Sequence, residues 1–445
     1  MNFYHSSSLL AFLFSCVLLF LPLHRTAHAS ESGGSTELGA RASIPESRVA
    51  MADAEETGEN EEEEDDDWET TGPIDRTVHL SGVLQASFRS TLYDEETLPG
   101  GGEIESEHTF QIEHTHLKFS GDLSEHVSWE IMPCVTHMND FSVILANFSY
   151  RFDPRLQVTF GRFLLPFGQF NLRSLPGTYQ TVSRPLLYQS HEDRMIRFDD
   201  ATPSNFIFTP RDDTGLEASG NEWFGADDEF QLSYSAFLTN GLRAVSDQMS
   251  RFWDDNNNAK QVGGRLSLSY NGARLRATLG GSVISNKYET VEVTRPGDAT
   301  TPETTQDQDL DQFVWGTDAV LSYQYRTARR VELRAEYVKM LRDIQPTDEL
   351  LQGDEEIRGA YVTAVVDLND WMSLFYQWDT LTQRTPKAQL NEEFRDLEIT
   401  TNRHVGGLSF LIDDSLVLRL EYGRWLEPMG VPDAHRISVQ TIVTF

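Results

Sequence analysis

The sequence has few cysteines, few basic residues, and a single long apolar run near its N-terminus. Its 445 residues include only two cysteines, Cys16 and Cys134, so a framework of disulfides cannot hold the fold together. After the run at residues 9–23, no apolar stretch approaches the 20 residues of a transmembrane helix, which argues against helical membrane spans. A Gly-rich phosphate loop, an HExxH pair and a GxSxG turn are also missing, so we expect neither an enzyme nor a cofactor.

The N-terminal residues are expected to lie outside the folded domain. Residues 9–23 read LLAFLFSCVLLFLPL and are followed by Ala27-His28-Ala29, which predicts a signal peptide over residues 1–29. Lipidation at Cys16 is the less favoured alternative, because the apolar run continues past that cysteine. Residues 30–73 carry the run EEEEDDD at 61–67, which predicts a disordered acidic linker. Weak binding of divalent cations or of a basic partner is an alternative role for the linker.

Residues 74–445 alternate between apolar and polar side chains with a period of two. Leu418 and Leu420 lie on one face of a predicted strand, for example, and Arg419 lies on the other. Many of these segments run about 10 to 14 residues, the length that a tilted strand needs to cross a bilayer. A soluble β-sandwich also alternates, but its strands are usually about five or six residues long. The pattern therefore predicts an all-β fold, a transmembrane antiparallel β-barrel of about 16 strands whose edges must close in lipid.

The predicted strands are 78–90, 108–120, 125–136, 140–152, 155–163, 213–220, 228–238, 260–270, 273–286, 312–325, 330–343, 355–367, 371–381, 398–412, 414–425 and 435–445. Alternate connections are tight, whereas most of the others are long and polar, at 91–107, 164–212, 239–259, 287–311 and 382–397. Short inner turns that alternate with long outer loops are typical of outer-membrane barrels. The last residue, Phe445, resembles the terminal aromatic by which the barrel-assembly machinery recognises its clients.

Residues 158–169, VTFGRFLLPFGQ, resemble the phosphate-selective porin O and P family at Gly161, Phe163, Pro166, Phe167 and Gly168. Residues 110–122 and 210–215 are also similar to segments of that family. The resemblance implies a homotrimeric sixteen-stranded pore in the Gram-negative outer membrane, whose third outer loop, here 164–212, folds into the lumen. Its partners would be outer-membrane lipid, lipopolysaccharide, the assembly machinery and small ions or solutes, with no nucleic acid.

The arginines and carboxylates of the barrel supply the candidate site residues. On the third loop, the constriction candidates are Arg173, Arg184, Arg194, Arg197, Arg211, Asp199 and Asp200. On the strands, the lumen-wall candidates are Arg265, Arg274, Arg276, Arg334, Glu332 and Glu336. Because both signs of charge occur, these residues predict a general diffusion pore of weak selectivity, although the family resemblance implies passage of phosphate or other oxyanions. A barrel with a mainly structural or adhesive role is the alternative.

His114 and His116 share one face of a predicted strand, with His108 nearby. Two imidazoles at this spacing could bind a metal ion, but the sequence offers no third ligand in a convincing position. We therefore interpret both histidines as polar residues that line the lumen, and we expect no metal.

Overall fold

In the computed structural model, the described residues are 77–94, 106–136, 140–188, 212–241, 259–295, 304–343, 354–390, 393–426 and 433–445. They form sixteen strands: β1 (His79–Tyr93), β2 (Glu107–Asp122), β3 (Val127–Thr136), β4 (Asp140–Asp153), β5 (Leu156–Leu164), β6 (Asp212–Phe224), β7 (Phe230–Thr239), β8 (Gln261–Asn271), β9 (Leu275–Arg295), β10 (Thr304–Arg326), β11 (Arg329–Asp343), β12 (Asp354–Asp367), β13 (Met372–Leu390), β14 (Glu393–Asp413), β15 (Leu416–Leu426) and β16 (Ala434–Thr444). None of the helices in these ranges is long and apolar enough to cross a membrane.

The sixteen strands form one closed barrel in which each strand pairs with its neighbours in the sequence. The first and last strands close it, with Val83 opposite Thr444 in an antiparallel register. Two backbone hydrogen bonds extend this seam, from Gly82 N to Phe445 O at 2.7 Å and from Phe445 N to Gly82 O at 3.1 Å. A closed barrel leaves no unpaired strand edge, as the sequence analysis predicted.

The polarity of the barrel is inverted relative to that of a soluble protein. Leu266 and Leu279 point outward and are 56% and 66% exposed, while Asp318 and Glu336 point inward and are each 3% exposed. The alternation follows from the sequence, since successive side chains of a strand point to opposite faces. The wall therefore presents apolar side chains to its surroundings and polar side chains to its interior, the arrangement of a transmembrane barrel.

Seven tight turns lie at one end of the barrel. They follow β2, β4, β6, β8, β10, β12 and β14, at residues 123–126, 154–155, 225–229, 272–274, 327–328, 368–371 and 414–415. Turn residues in the left-handed region allow two of them, with a φ of 51° at Asp228 and 60° at Ala328. The prediction that alternate connections are tight is confirmed.

Two of the predicted long loops are wrong, at 287–311 and 382–397. Strands β9 and β10 stay paired as far as Arg295 and Thr304, and β13 and β14 stay paired as far as Leu390 and Glu393. These hairpin extensions are rich in polar residues, which is why the sequence pattern predicted loops there, whereas the backbone ladder continues. The predicted signal peptide and acidic linker lie outside the described residues.

Candidate pore interior

The chain that follows β5 lies inside the barrel. Residues 165–188, which we call the inner segment, contact inward-facing side chains of β9, β11, β13 and β15. The inner segment is the described part of the predicted loop 164–212, whereas residues 189–211 lie outside the described residues. The rest of that prediction, a loop folded inward over its whole length, stays a prediction.

Two glycines allow close backbone contacts at the entry to the interior, Gly161 within β5 and Gly168 after it. Gly161 has a φ of +122°, and a Cβ there would overlap Ala146 O. Gly168 has a φ of +63°, and a Cβ there would overlap the Glu336 carboxylate. Only glycine adopts such backbone angles at little cost, and only glycine fits these close approaches. This explains in physical terms why the sequence places glycine at both ends of the motif at 161–168.

Three acidic side chains on alternate strands hold the inner segment through its backbone. Glu336 of β11 accepts a hydrogen bond from Phe170 N at 3.2 Å, and Asp379 of β13 accepts one from Leu186 N at 3.2 Å. Glu421 of β15 accepts from Val182 N at 2.6 Å, Ser183 N at 3.0 Å and Ser183 Oγ at 2.5 Å. Hydrogen bonds to carboxylates are roughly twice as strong as neutral ones. These three carboxylates, the anchor residues, therefore fix the path of the segment.

An apolar cluster packs the inner segment against the wall. The segment contributes Leu165, Phe167, Phe170, Tyr179, Leu187 and Tyr188, and the wall contributes Ile284, Val314, Val338, Met340, Ile357 and Tyr361, among others. Two wall glycines make room for it, because a Cβ at Gly316 would lie 3.3 Å from the Phe167 ring and one at Gly359 would overlap Leu187. Close packing of this kind makes the segment a fixed part of the interior.

Arg403 and Asp379 form an ion pair at 2.9 Å whose two side chains are fully buried. Arg403 also donates to Arg184 O, at 2.5 Å, and its guanidinium carbon lies 5.4 Å from the centre of the Trp425 ring. A buried charge is tolerated only when its partners replace the lost hydration, and here a carboxylate, a carbonyl and an aromatic face do so. The inner segment thus supplies part of the environment that this pair requires.

Several described arginines of the interior are paired with carboxylates on the next strand or, for Arg265, two strands away. Arg265 pairs with Asp318, Arg162 with Asp212, Arg89 with Glu113 at 2.5 Å, and Arg342 with Glu355 at 2.5 Å. Opposed charges at such distances largely cancel each other beyond a few ångströms. The wall therefore carries little net field at these positions.

A second group of charges has an excess of arginine. Glu332 accepts a hydrogen bond from Arg334 Nε at 2.5 Å, and Arg330 lies 3.8 Å from the same carboxylate. Arg173 of the inner segment belongs to this group: burial lowers the pKa of its guanidinium, and the charge of Arg334 lowers it further. Arg330 also lies 3.6 Å from Asp367, so the group has three guanidiniums and two carboxylates. This excess of one positive charge makes the group, which we call the arginine cluster, attractive to anions.

The predicted site residues are only partly brought together. On the inner segment, Arg173 joins the arginine cluster, and Arg184 donates to His114 Nε2 at 3.3 Å. On the wall, Arg265, Arg334, Glu332 and Glu336 point inward, while Arg276 is exposed at the start of β9 and Arg274 lies in the turn before it. Arg194, Arg197, Arg211, Asp199 and Asp200 lie outside the described residues.

Glu113 is a functional candidate that the sequence analysis missed. It is buried and accepts hydrogen bonds from Ser87 Oγ at 2.6 Å and Gln440 Nε2 at 3.0 Å. Simple alternation assigns Glu113 to the face opposite His114. A register shift between Gln85 and Ala86 adds a residue to β2 at this point and turns Glu113 inward. No pattern within β2 alone signals such a bulge.

No protein-family model matches the sequence, and no curated protein matches it. Several solved structures that are similar to the chain are outer-membrane proteins or porins. The anion-selective porin from Comamonas acidovorans has 11% identity over 83% of this chain and 100% of its own, with a TM-score of 0.49. OmpT of Vibrio cholerae, folded in vitro, has 10% identity over 84% and 100%, with a TM-score of 0.48. OprB of Pseudomonas putida has 10% identity over 83% and 94%, with a TM-score of 0.48.

Proposed function

We propose that this protein is an outer-membrane channel for the passive diffusion of small hydrophilic solutes and ions. The inverted polarity of the wall is the observation that carries the proposal. Outward leucines such as Leu266 and Leu279 are more than half exposed. Exposure of apolar side chains over the whole outer face of the barrel is favourable only when that face is in contact with lipid. Barrels of about 16 strands are also wide enough to leave an aqueous lumen.

The inner segment is proposed to narrow this lumen. Its backbone is held by Glu336, Asp379 and Glu421, and its side chains pack into the apolar cluster. A segment so fixed blocks part of the cross-section, because it contacts β9 to β15 and also β2 and β3, through His114 and the cluster that contains Cys134. Solutes would then pass between the segment and the part of the wall that it leaves uncovered.

The charge pattern supports weak ion selectivity with one anion-attracting position. The pairs formed by Arg89, Arg162, Arg265 and Arg342 are close to neutral, so they give the lumen little preference for either sign. The arginine cluster at Arg173 favours anions, and phosphate and other oxyanions suit the planar donors of arginine. We therefore propose that inorganic anions, oxyanions included, pass alongside cations.

Planar-bilayer recording of the purified protein tests the proposal. Discrete conductance steps are expected in potassium chloride, with a small reversal potential across a salt gradient. Replacement of chloride by phosphate should leave a measurable current. Absence of conductance from inserted, correctly folded protein would contradict the proposal and favour the structural or adhesive alternative. Chemical cross-linking in detergent tests the homotrimer that the family resemblance implies.

A further inference from the structure

Three metal-ligating side chains converge on the inner wall, away from the anchor residues. His114 and His116 lie two residues apart on β2 and so share a face, and Cys134 of β3 is paired directly with His116. His116 and Cys134 are 2% and 1% exposed. The register therefore supplies the third ligand that the sequence did not reveal. We propose that these three residues bind a borderline or soft transition-metal ion, of which Zn²⁺ is the example to test.

The distances suit such an ion. One ligand atom from each of the three residues lies within 4.8 Å of the others, and Cys134 Sγ lies 3.9 Å from His114 Nδ1. Bonds of about 2.3 Å to sulfur and 2.0 Å to nitrogen at tetrahedral angles place the ligand atoms about 3.3 to 3.5 Å apart. A separation of 4.8 Å must therefore close by about 1.3 to 1.5 Å, which rotations of the imidazole rings can supply because their χ2 torsions are broad.

The ligand types define the class of ion. A thiolate and two imidazoles select zinc or copper over magnesium or calcium, which require oxygen ligands. Met132, buried in the same apolar cluster as Cys134, adds a second soft sulfur to the surroundings. Three protein ligands also leave a coordination position for water or for a passing solute.

Arg184 of the inner segment connects the site to the segment. An arginine can only donate, so its contact with His114 Nε2 at 3.3 Å requires that this nitrogen be unprotonated. The ring proton then lies on Nδ1, which faces Cys134 Sγ. Coordination through Nδ1 would move the proton to Nε2 and so exclude donation from Arg184. We infer that metal binding displaces Arg184 from His114, and that Arg184→Gln binds the ion more tightly because a neighbouring positive charge is removed.

Cobalt binding to the untagged, folded protein in detergent tests the site, because a thiolate ligand gives Co²⁺ a charge-transfer absorption that oxygen ligands do not. Wild-type protein should develop this band with one Co²⁺ per chain and lose it when one equivalent of Zn²⁺ is added. Cys134→Ser should show no band. His116→Gln should bind at least about tenfold more weakly, since even an outer-shell change typically costs about 10- to 100-fold in metal affinity. His108→Gln, on the same strand and outside the cluster, is the matched control and should bind as wild type does.

Absence of the band in wild type, or an unchanged band in Cys134→Ser, would overturn the proposal. X-ray absorption of wild-type protein with one equivalent of Zn²⁺ needs no variant and covers the case in which a variant does not fold. One sulfur at about 2.3 Å and two nitrogens at about 2.0 Å are expected. A shell of oxygen and nitrogen alone would overturn the proposal.

Discussion

Replacement of Glu421 by glutamine should release the middle of the inner segment. Both carboxylate oxygens accept from the segment: Oε2 from Val182 N at 2.6 Å, and Oε1 from Ser183 N at 3.0 Å and Ser183 Oγ at 2.5 Å. Glutamine keeps the size and shape of the side chain, but its NH₂ group replaces one of these oxygens. With its oxygen in the Oε2 position, the amide still accepts from Val182 N and from Ser183 N, which lies 3.2 Å from Oε2, but all three hydrogen bonds lose their charged acceptor.

The magnitude follows from the number of hydrogen bonds changed. A hydrogen bond to a charged group is worth about 1.5 to 3 kcal/mol and a neutral one about 0.5 to 1.5 kcal/mol, so each of the three bonds is expected to lose about 1 kcal/mol. We take about 3 kcal/mol as the net loss for opening the segment around Val182 and Ser183. Since about 1.4 kcal/mol corresponds to a factor of ten, the local opening equilibrium should increase by about 100-fold.

Hydrogen exchange measured by mass spectrometry on peptides that cover residues 175–188 reads out this change directly. Exchange there should be about 100-fold faster in Glu421→Gln, while peptides from β9 and β10 keep their rates. Glu398→Gln is the matched control, because Glu398 pairs with Arg358 at 3.1 Å in an exposed position. The role of Glu421 as an anchor would be refuted if residues 175–188 exchanged at the same rate in wild type and in Glu421→Gln. It would also be refuted if the control variant showed the same acceleration.

Three further predictions concern single side chains. Gly168→Ala should destabilise the inner segment by at least about 1 to 2 kcal/mol, because alanine is strained in the left-handed region, and should speed hydrogen exchange in the segment. Gly281→Ala is the control, because a Cβ fits there, and it should leave hydrogen exchange unchanged. Asp379→Ala removes the carboxylate partner of the buried Arg403 and should lower the free energy of unfolding, measured in urea, by about 3 to 5 kcal/mol. A loss below about 1 kcal/mol, the size typical of an exposed ion pair, would contradict this. Arg173→Gln removes a positive charge from the arginine cluster and should shift the reversal potential in a potassium chloride gradient toward cations; an unchanged potential would remove the cluster from the conducting path.

The barrel could be predicted from the sequence because each strand carries its own alternation and most tight turns carry turn residues. Leu418, Leu420 and Arg419 illustrate this, since apolar and polar side chains separate to opposite faces without reference to any other strand. The predicted start of the third loop at residue 164 likewise agrees with the end of β5 at Leu164. Such signals are local, so a single sequence contains them.

Contacts between strands could not be predicted, because they depend on register. The sequence placed the turn between β2 and β3 at 121–124, and the structure places it at 123–126. The centre of the turn therefore lies two residues further along the chain than predicted, which moves every cross-strand partner by four, so the pairing of His116 with Cys134 stayed hidden. For the same reason Glu336, Asp379 and Glu421 were predictable as inward residues but not as acceptors for the inner segment.

Osmotic swelling of liposomes that contain the folded protein tests the central claim, a water-filled channel for passive diffusion, most directly. Liposomes diluted into isotonic solutions of uncharged sugars of increasing size should swell quickly with the smallest sugars and progressively more slowly with larger ones. Glu421→Gln should admit larger sugars than wild type, because its inner segment is released. Liposomes that do not swell with any sugar, although the inserted protein is folded, would contradict the account.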